Sequence, residues 1–158
     1  MILDTNALSA MADGDINLEP LLQRADEIAV PAIVLGEYKY GIRRSRHRTR
    51  YERWLAEVLA SCRVLAVDEG TAGHYAEVRA ELKRSGRPIP GNDLWIAALA
   101  RQHALPLLSR DQHFDFVPGL KRVGWQKAAM PGRTRGRRVM EKWTKTGVTP
   151  HAPSEPCR

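Results

Sequence analysis

Four acidic residues stand at positions from which carboxylates could act together. Asp4 directly follows the apolar run Met1–Leu3, and Asp111 follows the run Leu105–Ser109. Asp93 opens an apolar segment that begins after Pro90-Gly91-Asn92, and Glu37 lies within a helical pattern starting at Ile33. Residues 33, 34, 37 and 41 share one helix face, and Ile33, Val34 and Gly41 are apolar or small, so Glu37 is expected on the inward stripe. A carboxylate there needs a partner or a cation, because burying even a neutral polar group unpaired costs roughly 2–7 kcal/mol. Carboxylates gathered about 4 Å apart would repel by roughly 4 kcal/mol per pair at an effective dielectric near 20. Oxygen-only ligands select hard cations, Mg²⁺ or Mn²⁺, and such a centre polarises phosphodiesters.

Taken singly, each acid has a plainer reading. Asp4 and Asp93 are also suited to capping helices, Asp111 to a turn, and Glu37 to an ion pair with Arg43 or Arg44. Asp115, four residues beyond Asp111, is an alternative to it. The joint pattern favours chemistry if the first and fourth strands are neighbours, because ligands in open parallel sheets bind beyond the carboxyl ends of the strands.

The elements that would position these acids alternate. Strands are expected at Met1–Leu3, Ile28–Ala32, Arg63–Val67, Leu105–Ser109 and Lys121–Trp125, and helices at Leu18–Ala25, Ile33–Arg44, Arg50–Cys62, Thr71–Arg84 and Asp93–Ala104. The clearest helix carries Tyr51, Trp54, Leu55, Val58, Leu59 and Cys62 at a period of 3.6. This alternation predicts an α/β fold with a central parallel sheet covered on both faces.

The net charge of +7 suggests a polyanionic partner, but residues 126–158 hold eight Lys/Arg against two Glu and so carry most of it. That segment is rich in Gly, Pro, Thr and basic residues and is expected to be a mostly disordered extension, with a short helix near Arg138–Lys145. The rest, 1–125, forms one domain. The basic run Arg43, Arg44, Arg46, Arg48, Arg50 and Arg53 could track a phosphate backbone or be a solvated helix junction, and with no stacking aromatics interleaved the junction is favoured; Tyr51 and Trp54 read as core or dimer contacts rather than a base-stacking platform. No role is assigned to His74, His103 or His113. Two cysteines make no disulfide framework, and neither a membrane span nor a secretory signal is expected, which points to the cytoplasm.

Ile2-Leu3-Asp4-Thr5-Asn6, Val34-Leu35-Gly36-Glu37, Asn92-Asp93-Leu94-Trp95-Ile96-Ala97-Ala98 and Leu107-Leu108-Ser109-Arg110-Asp111-Gln112-His113-Phe114 resemble the successive signatures of PIN domains, in particular of VapC-type toxins. The resemblance covers residues 1–125 and implies a three-layer α/β/α PIN-like fold. It implies a Mg²⁺- or Mn²⁺-dependent endoribonuclease, the toxin of a toxin–antitoxin pair, with Asp4, Glu37, Asp93 and Asp111 as catalytic residues. Asp4 and Asp93 would be the principal metal ligands, and Asn6 and Ser109 would orient the carboxylates. RNA is the implied substrate, a cognate antitoxin the implied partner and a homodimer the implied assembly. The alternative is a catalytically silent PIN-like module that binds RNA or protein. The segment past Trp125 is longer than the resemblance implies.

Overall fold

The computed structural model describes residues 1–126; the expected extension, apart from Gln126, and its helix near Arg138–Lys145 lie outside the described residues. Five short strands form one all-parallel sheet: β1 (Ile2–Leu3), β2 (Ala29–Pro31), β3 (Arg63–Leu65), β4 (Leu107–Leu108) and β5 (Arg122–Val123), in the order β3-β2-β1-β4-β5. Ile2, Leu3, Leu107 and Leu108 are fully buried, so β1 and β4 are covered on both faces. That is why they read as unbroken apolar runs, not alternating ones. The edges differ, with Arg63 and Val64 of β3 exposed.

Six α-helices fill the layers: α1 (Thr5–Asp13), α2 (Glu19–Gln23), α3 (Ala32–Ile42), α4 (Arg48–Leu59), α5 (Glu69–Arg84) and α6 (Gly91–Gln102). A 3₁₀-helix spans Gln112–Phe116. On α4 the expected stripe packs inward, with Leu55 and Val58 buried and Tyr51, Trp54, Leu59 and Cys62 packed on the core. Trp54 meets Tyr38 of α3 at 5.9 Å between ring centroids. On α6, Leu94 and Ile96 through Ala100 are buried, and Trp95 stacks on Tyr75 of α5 at 4.1 Å. None of the described helices is long and apolar enough to cross a membrane.

The topology sets the site. From β1 the chain builds outward to β2 and β3, then returns to add β4 and β5 on the other side. The order therefore reverses between β1 and β4, and the loops at their carboxyl ends diverge to leave a crevice. The register Leu3↔Leu108 puts the residues that follow, Asp4 and Ser109, side by side.

Candidate active site

Asp4 is the N-cap of α1, and its backbone is extended. Its amide donates to the Leu108 carbonyl at 3.1 Å, prolonging the sheet by one rung. One carboxylate oxygen, Oδ1, accepts from the Thr5 amide at 2.7 Å. The other, Oδ2, accepts from Asn6 Nδ2 at 2.7 Å and from Ser109 Oγ at 2.6 Å. Capping and site chemistry are thus combined in one side chain, split between its two oxygens.

Asn6 links three groups. Its Nδ2 also lies 2.9 Å from Asp111 Oδ2 and 3.2 Å from Ser109 Oγ, while its Oδ1 accepts from the Arg110 amide at 3.2 Å. Ser109 Oγ in turn accepts from the Asp111 amide at 3.0 Å. The β1 and β4 ends are therefore stitched together through Asn6 and Ser109, and Asp4 and Asp111 are held about one amide nitrogen. Asp115 is not a substitute for Asp111: both its oxygens meet Arg122, at 2.7 Å from Nε and 2.7 Å from Nη2. Arg122 also donates to the Ser109 carbonyl at 3.0 Å, which ties this pair to the site's far wall.

Glu37 and Asp93 come from helices that pack together, α3 and α6. The buried face of α3 is Val34, Tyr38 and Ile42, whereas Gly41 is exposed and Glu37 is half-buried at the flank of that face. Of the expected stripe 33, 34, 37 and 41, only Val34 is buried; the inward face continues through Tyr38 and Ile42. Glu37 does not pair with Arg43 or Arg44. Its Oε2 accepts from Thr5 Oγ1 at 2.5 Å and its Oε1 from Asn92 Nδ2 at 2.6 Å. Asp93 is not a capping residue either. Pro90 occupies the N-cap of α6, and Asp93 sits in the first turn, where free amides and the helix dipole favour a negative charge. Its Oδ2 lies 3.0 Å from His113 Nε2.

The electrostatics follow from burial. Asp4 is 3% exposed, and desolvation pushes its pKa up to about 6. The bonds from Ser109 and Thr5 work against that rise, and the charges of Asp111 and Asp93 add to it. Asp93 is raised as well, first by desolvation; His113 opposes the shift, and Asp111 and Glu37 reinforce it. Asp93 thus feels Asp111 and Glu37, and Asp4 feels Asp111 and Asp93. Among the described residues no three acidic, His or Cys side chains form a ready-made ring around one point. Asp93 faces His113, and Glu37 faces Thr5 and Asn92.

Comparison with known proteins settles the family. The PIN domain profile matches residues 1–120. The chain belongs to the PIN domain family. It is 33% identical to "Ribonuclease VapC5" of Mycobacterium tuberculosis over 124 residues, which is 77% of this chain and 90% of that protein. The crystal structure of VapBC2 from Rickettsia felis, bound to a DNA fragment from its promoter, superposes with a TM-score of 0.70 at 28% identity, over 79% of this chain and 98% of that one. VapBC-5 of Mycobacterium tuberculosis, described as a member of the VapBC family of toxin-antitoxin systems, superposes with a TM-score of 0.62 at 30% identity, over 77% and 97%.

In this PIN domain, sequence reasoning missed three contributors. Thr5 and Asn92 fix Glu37, and His113 faces Asp93. Thr5 and Asn92 each adjoin an acid of the quartet, so adjacency was the available signal. His113 is twenty residues from Asp93, and no spacing rule connects a 3₁₀-helix to the first turn of α6.

Proposed function

We propose that this chain is an endoribonuclease that depends on Mg²⁺ or Mn²⁺ and acts as the toxin of a toxin–antitoxin pair. The observation that carries the reading is Asp4: a buried carboxylate, held by three donors, beside two further acids that raise its pKa. Such an arrangement is costly without a counter-charge, and the acids offer a cation only carboxylate oxygens. Mg²⁺ commonly takes one or two carboxylates and keeps its waters, so it does not need a closed protein ring. Asp4 and Asp93 would hold it. When bound, the cation polarises the phosphodiester and neutralises charge that develops there.

The chain's own residues divide the remaining work. Asn6 and Ser109 lock Asp4 Oδ2, so that carboxylate does not swing when RNA arrives. Glu37, fixed at both oxygens, and Asp111, fixed through Asn6, would orient a water and accept its proton as it attacks phosphorus. The P–O bond to the leaving nucleoside breaks, and that oxygen is then protonated from solvent. The toxin role and a cognate antitoxin as partner follow the relatives' descriptions; a homodimer and the cytoplasm are what the family resemblance implies.

The test uses the full chain with Mn²⁺ and a single-stranded RNA. Cleavage is expected, to be abolished by EDTA and reduced at least about a hundredfold by Asp93→Asn, since even residues that merely orient metal ligands cost 10–100-fold. Asp93 is the better site than Asp4, whose loss would also uncap α1. Undiminished cleavage by Asp93→Asn would overturn the assignment. Failure of calorimetry to detect Mn²⁺ at near-millimolar concentration would favour a PIN-like module that binds without cutting.

A further inference from the structure

Four carboxylates repel a polyanion. A phosphodiester can approach Asp4, Glu37, Asp93 and Asp111 only if cations offset their charge. A bound metal ion would do so for the phosphate that is cut, which leaves the neighbouring phosphates to side chains of the protein.

The arginines differ in whether a carboxylate already claims them. Arg122 reaches the Ser109 carbonyl at 3.0 Å, but both oxygens of Asp115 hold it. Arg48 pairs with Glu52, Arg63 with Glu27, and Arg101 with Glu77 and Glu81. Arg110 stands between Ser109 and Asp111, yet it pairs with no carboxylate among the described residues. Nor is its charge among those that shift Asp4 or Asp93.

The Arg110 guanidinium lies instead over the ring of Trp125, 4.9 Å from the centroid. The sheet explains the meeting. The Ser109 amide donates to the Val123 carbonyl at 3.0 Å, so β4 and β5 end level and the residues after them run side by side. Trp125 is itself fixed. It packs on the core, and its indole N–H donates to Asp15 Oδ2 at 3.3 Å. The carbonyl of the next residue, Gln126, accepts from Asn17 Nδ2 at 2.9 Å. At its other end Arg110 is tied by its amide to Asn6 Oδ1 at 3.2 Å, and Asn6 is the side chain that also joins Asp4 to Asp111.

We infer that Arg110, held on Trp125, binds the RNA phosphate next to the one that is cut. Stacking on an indole engages the face of the guanidinium and leaves the N–H fork at its edge open, the geometry that matches a phosphate with two hydrogen bonds. The ring also limits the side chain beforehand, so less freedom is lost when the phosphate arrives. The rival reading is a staple that only joins β4 to β5. An arginine kept for structure beside an acidic site would be expected to neutralise an acid, as Arg122 does for Asp115; Arg110 is turned away from them and keeps its charge available. The inference rests on the nuclease reading, which supplies the phosphodiester. Arg110 is then a substrate-binding residue, and Trp125 a positioning residue that acts through it.

The experiment is fluorescence anisotropy of the full chain in EDTA with a labelled single-stranded oligoribonucleotide, across a salt series. Arg110→Gln is expected to lower the slope of log K against log salt by about 0.7, the loss of one phosphate contact. Arg110→Lys keeps the charge and so the slope, but binds more weakly because an ammonium has neither the flat face nor the fork. Trp125→Leu is expected to raise Kd about two- to fivefold, with Trp125→Phe recovering most of it. Arg79 is the matched control: it lies 5.9 Å over Tyr75 on α5, a helix that carries none of the four acids, and Arg79→Gln should keep the native slope. Native slope and affinity in Arg110→Gln would overturn the inference, and a lower melting temperature alongside them would identify the staple. An equal loss of slope in Arg79→Gln would overturn it too, because the effect would then be one of diffuse charge. The two readings fail separately. A native chain that does not cut, with a lowered slope in Arg110→Gln, removes the nuclease and keeps a phosphate subsite. Cutting that Asp93→Asn abolishes, with the slope unchanged in Arg110→Gln, keeps the nuclease and removes the subsite.

Discussion

Asp4 caps α1 and Asp68 caps α5, and each carboxylate collects three donors. Asp68 Oδ1 accepts from the Thr71 amide at 2.8 Å, Thr71 Oγ1 at 3.0 Å and Gln102 Nε2 at 2.9 Å. Thr71 Oγ1 accepts in return from the Asp68 amide at 3.1 Å, completing a capping box. Asp68 is exposed, and its bonds, led by that from the Thr71 amide, hold its pKa below the usual value. Asp4 has shorter bonds, yet its pKa goes the other way, to about 6. Burial and the neighbouring Asp111 and Asp93 outweigh three good donors. Local capping chemistry is thus the same at both places; what differs is whether anything but solvent is on hand to stabilise the charge. At Asp68 solvent suffices. At Asp4 the fold holds a charge that a cation would stabilise.

The largest effect on this contrast should come from Ser109, which is fully buried. Ser109→Ala removes the 2.6 Å bond to Asp4 Oδ2 and the acceptor of the Asp111 amide. Mn²⁺ affinity measured by calorimetry is expected to fall by about 10–100-fold, with Ser109→Thr restoring most of it. Wild-type affinity in Ser109→Ala would mean that Asp4 is held by packing and not by its donors.

A change of pH sharpens the same contrast. Asp4 has its folded pKa raised from 3.8 to about 6, so its ionised form is disfavoured in the metal-free fold. That destabilisation is fully present above about pH 6 and fades as pH falls toward 3.8. Its magnitude is on the order of 3 kcal/mol. Asp68 and Asp115 are lowered, so the stability they add persists through this window and is lost only below the usual carboxylate range. Metal uptake requires the deprotonated carboxylate, so protons and Mn²⁺ would compete for Asp4 if it is the ligand proposed above. The rise in melting temperature on adding Mn²⁺ should therefore be larger at pH 7.5 than at pH 5.5. An equal rise at both values would show that Asp4 is not a ligand.

Much of this site was legible because parallel strands place function at their carboxyl ends. Asp4 and Asp111 could be named once β1 and β4 were taken as neighbours, and the register Leu3↔Leu108 supplies that adjacency. The order of strands is a long-range fact that apolar runs do not encode. Glu37 was identified for a partly mistaken reason: its helix buries Val34, Tyr38 and Ile42, and Glu37 stands beside that face. Asp93 looked like a cap because helix starts are hard to place after Pro88 and Pro90, and the helix begins two residues before it. The choice between Asp111 and Asp115 turned on Arg122, which reaches back from β5 to claim Asp115. Each of these depends on contacts between elements, whereas the elements themselves follow from local pattern.

The smallest effect comes from the other member of the pair. Asp68→Ala removes a cap tied to Thr71 and Gln102 and to no member of the quartet. It should lower the melting temperature by a few degrees, because the first-turn amides of α5 lose their acceptor. Thr71, itself fully buried, keeps its bond to Gln102 at 2.5 Å, which limits the damage. Mn²⁺ affinity and RNA cleavage at a temperature well below melting should stay at the native level. Asp68→Asn should recover most of the stability, since an amide oxygen still accepts from the Thr71 amide. If Asp68→Ala instead lowered metal affinity with the fold intact, α5 and α6 would transmit strain to Asp93, and the two caps would not be the independent devices that their opposite pKa shifts indicate.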